Sequence, residues 1–221
     1  MALERLSLEE YKYMRVGPKF KICRRLGDSV FSKCQTTKYA MAEGKKKAIA
    51  MKKRKHRSNL TEFGIQLLEK QKLRFTYGVS ERQLSNYISK AKGKSVDSPA
   101  ANVYKLLESR LDNVVFRMGF VQTRQFARQV VGHGHITVNG KKVDVPSYSV
   151  KSGDKIAIRK KSQDNVIFKG KSEGLKEYNA IPAWISLDKD ALEAKVTGSP
   201  VVGEFETNLN FGLVVQFYSR V

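Results

Sequence analysis

Apolar residues recur at helical spacing in three stretches of the first half of the chain. In residues 63–78 (FGIQLLEKQKLRFTYG), Ile65, Leu68 and Leu73 fall where one helix face can gather them, and Gly78 supplies a stop. In 79–93 (VSERQLSNYISKAKG), Leu84, Tyr87, Ile88 and Ala91 form an apolar stripe. Ser80 is placed to cap that helix, with Gln83 at the reciprocal position of a capping box. Residues 101–119 (ANVYKLLESRLDNVVFRMG) carry Leu106, Leu107, Leu111, Val114, Val115 and Met118, and are expected as one helix closed by Gly119. Residues 1–18 read as a short polar helix ending at Gly17-Pro18, residues 19–57 are poorly periodic, and 95–102 (SVDSPAAN) is a linker by composition.

Beyond Gly119 the pattern changes. Thr123 is a good N-cap for a short helix, 123–131, whose Phe126, Ala127, Val130 and Val131 can face inward. Arg124 and Arg128 then sit four residues apart on its exposed face, with Arg117 just upstream; a phosphate between them would offset their mutual repulsion. From residue 133 the period becomes two. Ile136 and Val138 alternate, Asn139-Gly140 is a strong hairpin-turn signal, and Val143 and Val145 alternate again. Gly153-Asp154 supplies a turn before a last strand, 155–161, with Ile156 and Ile158.

The expected fold is α+β: a helical domain plus a small two-helix/β-sheet domain, with an extended basic N-terminal arm. The expected boundaries are 1–58 for the arm, 59–100 for the helical domain (completed by 178–221), and 101–177 for the small α/β domain.

Charge changes the picture most. Of 221 residues, 42 are Lys or Arg and 21 are Asp or Glu, a net +21 that repels itself unless a polyanion neutralises it. Lys45, Lys46, Lys47, Lys52, Lys53, Arg54, Lys55 and Arg57 fall within thirteen residues that contain no acid, so this stretch reads as an arm that orders on phosphates. Residues 179–221 hold 3 basic and 5 acidic residues and are better suited to protein contacts. The basic run has too few bulky apolar residues for a membrane-surface helix, and no apolar run reaches the roughly 18 residues of a spanning one. With two cysteines, Cys23 and Cys34, a reducing compartment fits better than a disulfide framework. His133 and His135 should point the same way on a strand, but no third ligand or activating acid is near in sequence, so RNA contact or a plain surface position is favoured over metal or catalysis.

Residues 110–160 resemble the small RNA-binding domain named after small-subunit ribosomal protein four, through RLDNVVFRMGF, TRQFARQ, ITVNGKKV and SVKSGDKI. That domain alone implies RNA binding and is shared with RNA-modifying enzymes. Three further regions resemble the bacterial-type ribosomal family itself: FGIQLLEKQKLRFTYGVSERQLSNYISKA (63–91), GPKFKICRRLG (17–27), and the C-terminal PAWIS (182–186) and VVQFYSR (214–220).

The resemblance implies a structural, non-enzymatic constituent of the small ribosomal subunit in the cytoplasm. Such a protein binds the 5′ domain of small-subunit rRNA, acts early in assembly, and lies beside ribosomal proteins three and five where mRNA enters, influencing decoding accuracy. The candidate RNA-contacting residues are the eight cations of the arm; Lys70, Lys72, Arg74 and Arg82; and, in the small domain, Arg110, Arg117, Thr123, Arg124, Arg128, His133, His135, Asn139, Lys141 and Lys142. Lys90 and Lys92 lie on the same outer helical faces. No cofactor is expected. Zinc-carrying members have four N-terminal cysteines; here Cys23 and Cys34 match two, and Phe20 stands where the first would be. The family's arginines at the mRNA path fall at His56 and Asn59, where Arg54 and Arg57 can substitute. The alternative, an RNA-modifying enzyme sharing the domain, lacks a nucleotide-binding fingerprint and has too little chain left for a catalytic domain.

Overall fold

Pro18 fixes the entry to the first helix, α1 (Lys19–Leu26), and Gly27, at φ 72°, closes it by donating to the Cys23 carbonyl at 2.9 Å. The computed structural model describes residues 16–53, 60–93, 98–165, 167–169, 181–203 and 208–220, with only the backbone for 46–53. The chain forms two units, 14–85 with 209–221, and 86–208; the division falls within one helix.

In the first unit, Ile22, Cys23 and Leu26 share one face of α1 and are buried with Phe31, Cys34 and Phe75. A 3-10 turn at Ser32–Cys34 leads into α2 (Thr37–Lys53). The stretch expected as an extended arm is therefore helical over much of its described length. The reason is visible in α1, whose apolar positions are spaced to close a small core with Phe31 and Phe75. Lys45, Lys46, Lys47, Lys52 and Lys53 lie on α2, while Arg54, Lys55 and Arg57 fall outside the described residues, as do residues 1–15 of the helix expected at 1–18.

Helix α3 (Glu62–Tyr77) is capped by Thr61, whose hydroxyl accepts from the Gly64 N–H at 3.2 Å, and ends at Gly78 with φ 63°. Leu73 is fully buried, Leu68 half-buried, and Ile65 exposed. Helix α4 (Glu81–Lys92) begins with the expected capping box: the Gln83 N–H donates to the Ser80 hydroxyl and the Ser80 N–H to the Gln83 side chain, both at 3.3 Å.

The second unit holds α5 (Pro99–Glu108), α6 (Leu111–Arg117), α7 (Arg124–Gly132), a one-turn helix α8 (Lys160–Gln163), and five strands: β1 (Ile136–Val138), β2 (Lys141–Lys142), β3 (Lys155–Ile158), β4 (Ile185–Asp188) and β5 (Glu193–Val196). The last helix, α9 (Phe211–Arg220), belongs to the first unit and packs on α3, with the Phe63 and Phe217 ring centroids 5.5 Å apart.

The expected single helix over 101–119 is broken at Ser109-Arg110. Arg110 takes extended geometry (φ −71°, ψ 138°) and bridges Ser149, while Leu111 and Asp112 donate their N–H groups to the Tyr148 and Pro146 carbonyls at 2.9 and 3.1 Å. The loop before β3 thus satisfies N–H groups that would otherwise point into a preceding helical turn. Gly119, at φ 77°, ends α6 by donating to Phe116.

The sheet is antiparallel throughout, in the order β2-β1-β3-β5-β4. Asn139 (φ 50°) and Gly140 (φ 76°) form the β1–β2 turn with both central residues left-handed, as a type I′ hairpin requires. Ile136, Val138, Ile156, Ile158, Ala194 and Val196 face a core shared with α6 and α7 residues such as Val114, Val115, Val130 and Val131. The segment 178–221 was expected to complete the helical domain. Instead, β4 and β5 extend the sheet beside β3, and α9 is the described part of that segment that joins the helical unit. The alternation of Ile185 with Leu187 and of Leu192, Ala194 and Val196, around Asp188-Lys189-Asp190, carries the strand signal.

Candidate nucleic-acid interface

The helix pair α6–α7 is held by charge rather than by apolar packing alone. The Asp112 carboxylate, in the first turn of α6, receives Arg110 through Nε (3.0 Å) and a terminal nitrogen (2.7 Å), and Arg128 of α7 through Nε (3.0 Å) and a terminal nitrogen (2.7 Å). Arg110 also donates to the Tyr87 hydroxyl at 2.6 Å. Burial opposes the charge on Arg110, but Asp112 and Tyr87 outweigh it and raise the pKa above the ordinary arginine value.

A second cluster lies alongside. Glu108 accepts both Nε (2.9 Å) and a terminal nitrogen (2.8 Å) of Arg117, and the Asn113 amide at 2.7 Å. Asn113 in turn accepts from Arg124 Nε at 2.7 Å, and the Arg124 guanidinium lies 4.5 Å from the centroid of the Phe116 ring. Glu108, Asp112, Arg110, Arg117 and Arg128 are all buried. Four guanidiniums thus converge on two carboxylates, and two of them, Arg110 on Asp112 and Arg117 on Glu108, use the two-oxygen fork geometry that makes arginine–carboxylate contacts strong and directional.

This corrects the expectation that Arg124 and Arg128 share an open face. Arg128 is only 9% exposed and Arg124 is half-buried. Asp112 and Asn113 supply the partners, so the repulsion expected at this spacing is offset within the protein. Arg110 and Arg117 are likewise interior, held by Asp112 and Glu108.

Other candidate residues also have structural duties. The Thr123 hydroxyl caps α7, accepting from the Phe126 N–H at 3.1 Å. The Asn139 amide is engaged at both ends, donating to Asp154 at 2.8 Å and accepting from the Lys155 N–H at 2.9 Å. Lys70 is 7% exposed: its ammonium donates to Glu81 at 2.7 Å and lies 4.7 Å from the Phe217 ring centroid. Its expected place on an outer face is corrected; α9 and the start of α4 enclose it. Lys72 pairs with Glu69 at 2.7 Å and Arg74 with Glu81 at 3.3 Å, both half-buried.

The rings of His133 and His135 lie together, with centroids 6.1 Å apart, but differ in exposure. His133 follows α7 in helical geometry (φ −81°) and is exposed, so strand alternation does not apply to it. His135 is half-buried, with Nδ1 3.0 Å from the Ser162 hydroxyl and its ring edge-on to Phe168. Burial, then His133 and Arg159, lower its pKa below 6.5. Among the described residues, no three His, Cys, Asp or Glu side chains converge as a metal site.

Several of the predicted cations face solvent. Lys141 and Lys142 are exposed on the strand after the hairpin turn, His133 is exposed at the end of α7, and Arg82 and Lys45 are exposed in the helical unit. Gly134, at φ 73°, leaves room for the end of the Lys142 side chain, which a Cβ at this position would strike. Lys151, Lys155, Arg159, Lys160 and Lys161, outside the expected contact set, are also exposed on the same unit as the hairpin. The run Arg159-Lys160-Lys161 at the end of 155–161 is the sequence signal for the last three.

Two family descriptions match consecutive parts of the chain: the ribosomal protein S4/S9 N-terminal domain over residues 14–108, and the S4 domain over 109–156. The small ribosomal subunit protein uS4 of Halalkalibacterium halodurans is 42% identical over 207 residues, covering 92% of this chain and 98% of that protein. The protein of the same name from Chromobacterium violaceum is 42% identical over 206 residues (93% and 98%), and that from Aquifex aeolicus 41% over 209 (93% and 98%). An S4 domain braced by buried arginines, following a helical N-terminal region and matched over nearly its whole length by these relatives, places the chain in the uS4 family of small ribosomal subunit proteins.

Proposed function

We propose that this protein is a structural constituent of the small ribosomal subunit that binds the 5′ domain of small-subunit rRNA directly and helps nucleate assembly. The observation that carries the reading is the contrast within the S4 domain: arginines locked on Asp112 and Glu108 make a stiff helix pair, and Lys141, Lys142 and His133 stand exposed beside it. A stiff basic surface suits structured RNA, which is read largely through shape and backbone. Arg124, half-buried over Phe116, contributes shape first and charge second.

In this reading the cations of α2 and the following residues add sequence-independent affinity. The protein resides on cytoplasmic ribosomes, with ribosomal proteins three and five as neighbours and mRNA passing nearby, so that it influences decoding accuracy. The test is equilibrium binding of the purified protein to a 5′-domain rRNA fragment over a salt series. The expected result is tight, salt-dependent binding that exceeds binding to an unrelated structured RNA; equal affinity for both would overturn the reading.

A further inference from the structure

The core-facing side of the sheet is covered by α6 and α7, and its other side carries a basic groove. Because Ile136, Val138, Ile156 and Ile158 point inward, their neighbours Thr137, Lys155 and Ala157 point outward, and the register aligns Lys142, Thr137, Ala157 and Glu193 in one cross-strand row. The groove has a volume of about 730 Å³, and its walls carry Lys142, Lys155, Arg159, Lys160 and Lys161 against one carboxylate, Glu193. Glu193 sits 3.9 Å from Lys155. Among the described residues, no carboxylate lies within ion-pair distance of Lys142, Arg159, Lys160 or Lys161.

We infer that this groove is a second RNA-backbone site, so that rRNA phosphates contact the S4-domain sheet on the side away from the α6–α7 pair. The inference rests on the rRNA-binding reading above and adds a surface to it. The floor, Thr137 and Ala157, is short and polar or small, so a sugar-phosphate strand can settle close to the sheet. An acidic peptide is the poorer fit. Peptides dock through pockets for alternate side chains or through buried apolar anchors, and this lining offers neither. Lysine supplies four of the five cations, and its ammonium acts as a point charge that accepts a phosphate from many directions.

The experiment compares the full chain with its Arg159→Ala/Lys160→Ala/Lys161→Ala variant for binding to the 5′-domain fragment, from about 0.1 to 1 M salt. Loss of three phosphate contacts, at roughly 0.7–0.9 each, lowers the slope of log affinity against log salt by about two. Affinity then falls on the order of 100-fold near 0.1 M salt, and the difference vanishes near 1 M. Acetylation of the wild-type complex followed by mass spectrometry gives a readout independent of the variant's folding: Lys155, Lys160 and Lys161 are protected by RNA. Wild-type binding with an unchanged variant slope, or with these lysines fully reactive in the complex, overturns the groove alone. A variant that loses binding to polyglutamate but keeps RNA affinity assigns the groove to acidic protein and likewise overturns it. Failure of the wild type to bind the fragment overturns the underlying reading as well.

Discussion

Arg128 and Asp112, sixteen residues apart, meet in a buried ion pair with both contacts, at 3.0 and 2.7 Å, made to one carboxylate oxygen. Because Asp112 also holds Arg110, this single carboxylate ties α7 to α6 and to the break before it. Removing it leaves two buried guanidiniums without their main counter-charge. Breaking a buried pair by deleting one partner typically costs about 3–5 kcal/mol. Asp112→Ala is expected to lower the unfolding free energy by roughly this amount in urea denaturation, and Arg128→Met, which removes charge but keeps volume, by clearly less. Equal losses would show that packing, not charge, holds the pair.

How much of this was legible in the sequence depended on distance along the chain. Ser80 with Gln83, Thr123 with Phe126, and Asn139-Gly140 are local devices, and each appears as expected. The break at Arg110 was not visible, because the acceptors for the Leu111 and Asp112 N–H groups lie at Tyr148 and Pro146. Lys70 read as an outward cation because what encloses it, Glu81 and Phe217, comes from other helices. Arg124 and Arg128 read as exposed for the same reason: helical spacing places two residues on one face but says nothing about what covers that face.

The hairpin lysines carry the proposed RNA contact most directly. Lys141→Ala/Lys142→Ala should reduce affinity for the 5′-domain fragment and lower the salt slope by up to about two, at roughly 0.7–0.9 per phosphate. Filter binding at several salt concentrations checks this, and a parallel shift with unchanged slope would mean that neither lysine meets a phosphate.

Gly134 tests how the hairpin is seated. At φ 73°, and with the end of the Lys142 side chain where a Cβ would go, Gly134→Ala incurs backbone strain and shifts the Lys142 ammonium. Residues forced into such conformations cost on the order of 1–3 kcal/mol. Thermal unfolding should show that loss, and RNA affinity should fall with it because Lys142 moves. Gly140→Ala, also at positive φ but with open space around it, should cost stability while leaving Lys142 in place.

Glu81 gives the helical unit a pH dependence. Burial opposes its ionisation, but Lys70, Tyr218 and Arg74 outweigh burial and hold its pKa below 4.5. A carboxyl with a depressed folded-state pKa contributes stability that is fully present above the unfolded value and is lost as pH falls through the folded one. Stability should therefore begin to drop as pH falls below about 4.5, and Glu81→Gln should flatten that part of the curve. An identical acid limb in the variant would remove Glu81 from the account.

Cys34 is buried beside Cys23, and burial followed by the neighbouring thiol pushes its pKa up to about 12. Thiolate is the reactive form, so native Cys34 should resist iodoacetamide at pH 8 and react promptly once the chain is unfolded. Mass spectrometry of the two samples distinguishes this from a reactive surface thiol, which would be alkylated in both.

The central claim, that the chain is a working part of the small subunit, is tested most directly by sedimentation of tagged protein from cell extracts through a sucrose gradient. The account predicts that it travels with the small subunit at near one copy per particle and remains there after a moderate salt wash. Recovery at the top of the gradient, or with the large subunit, would contradict it.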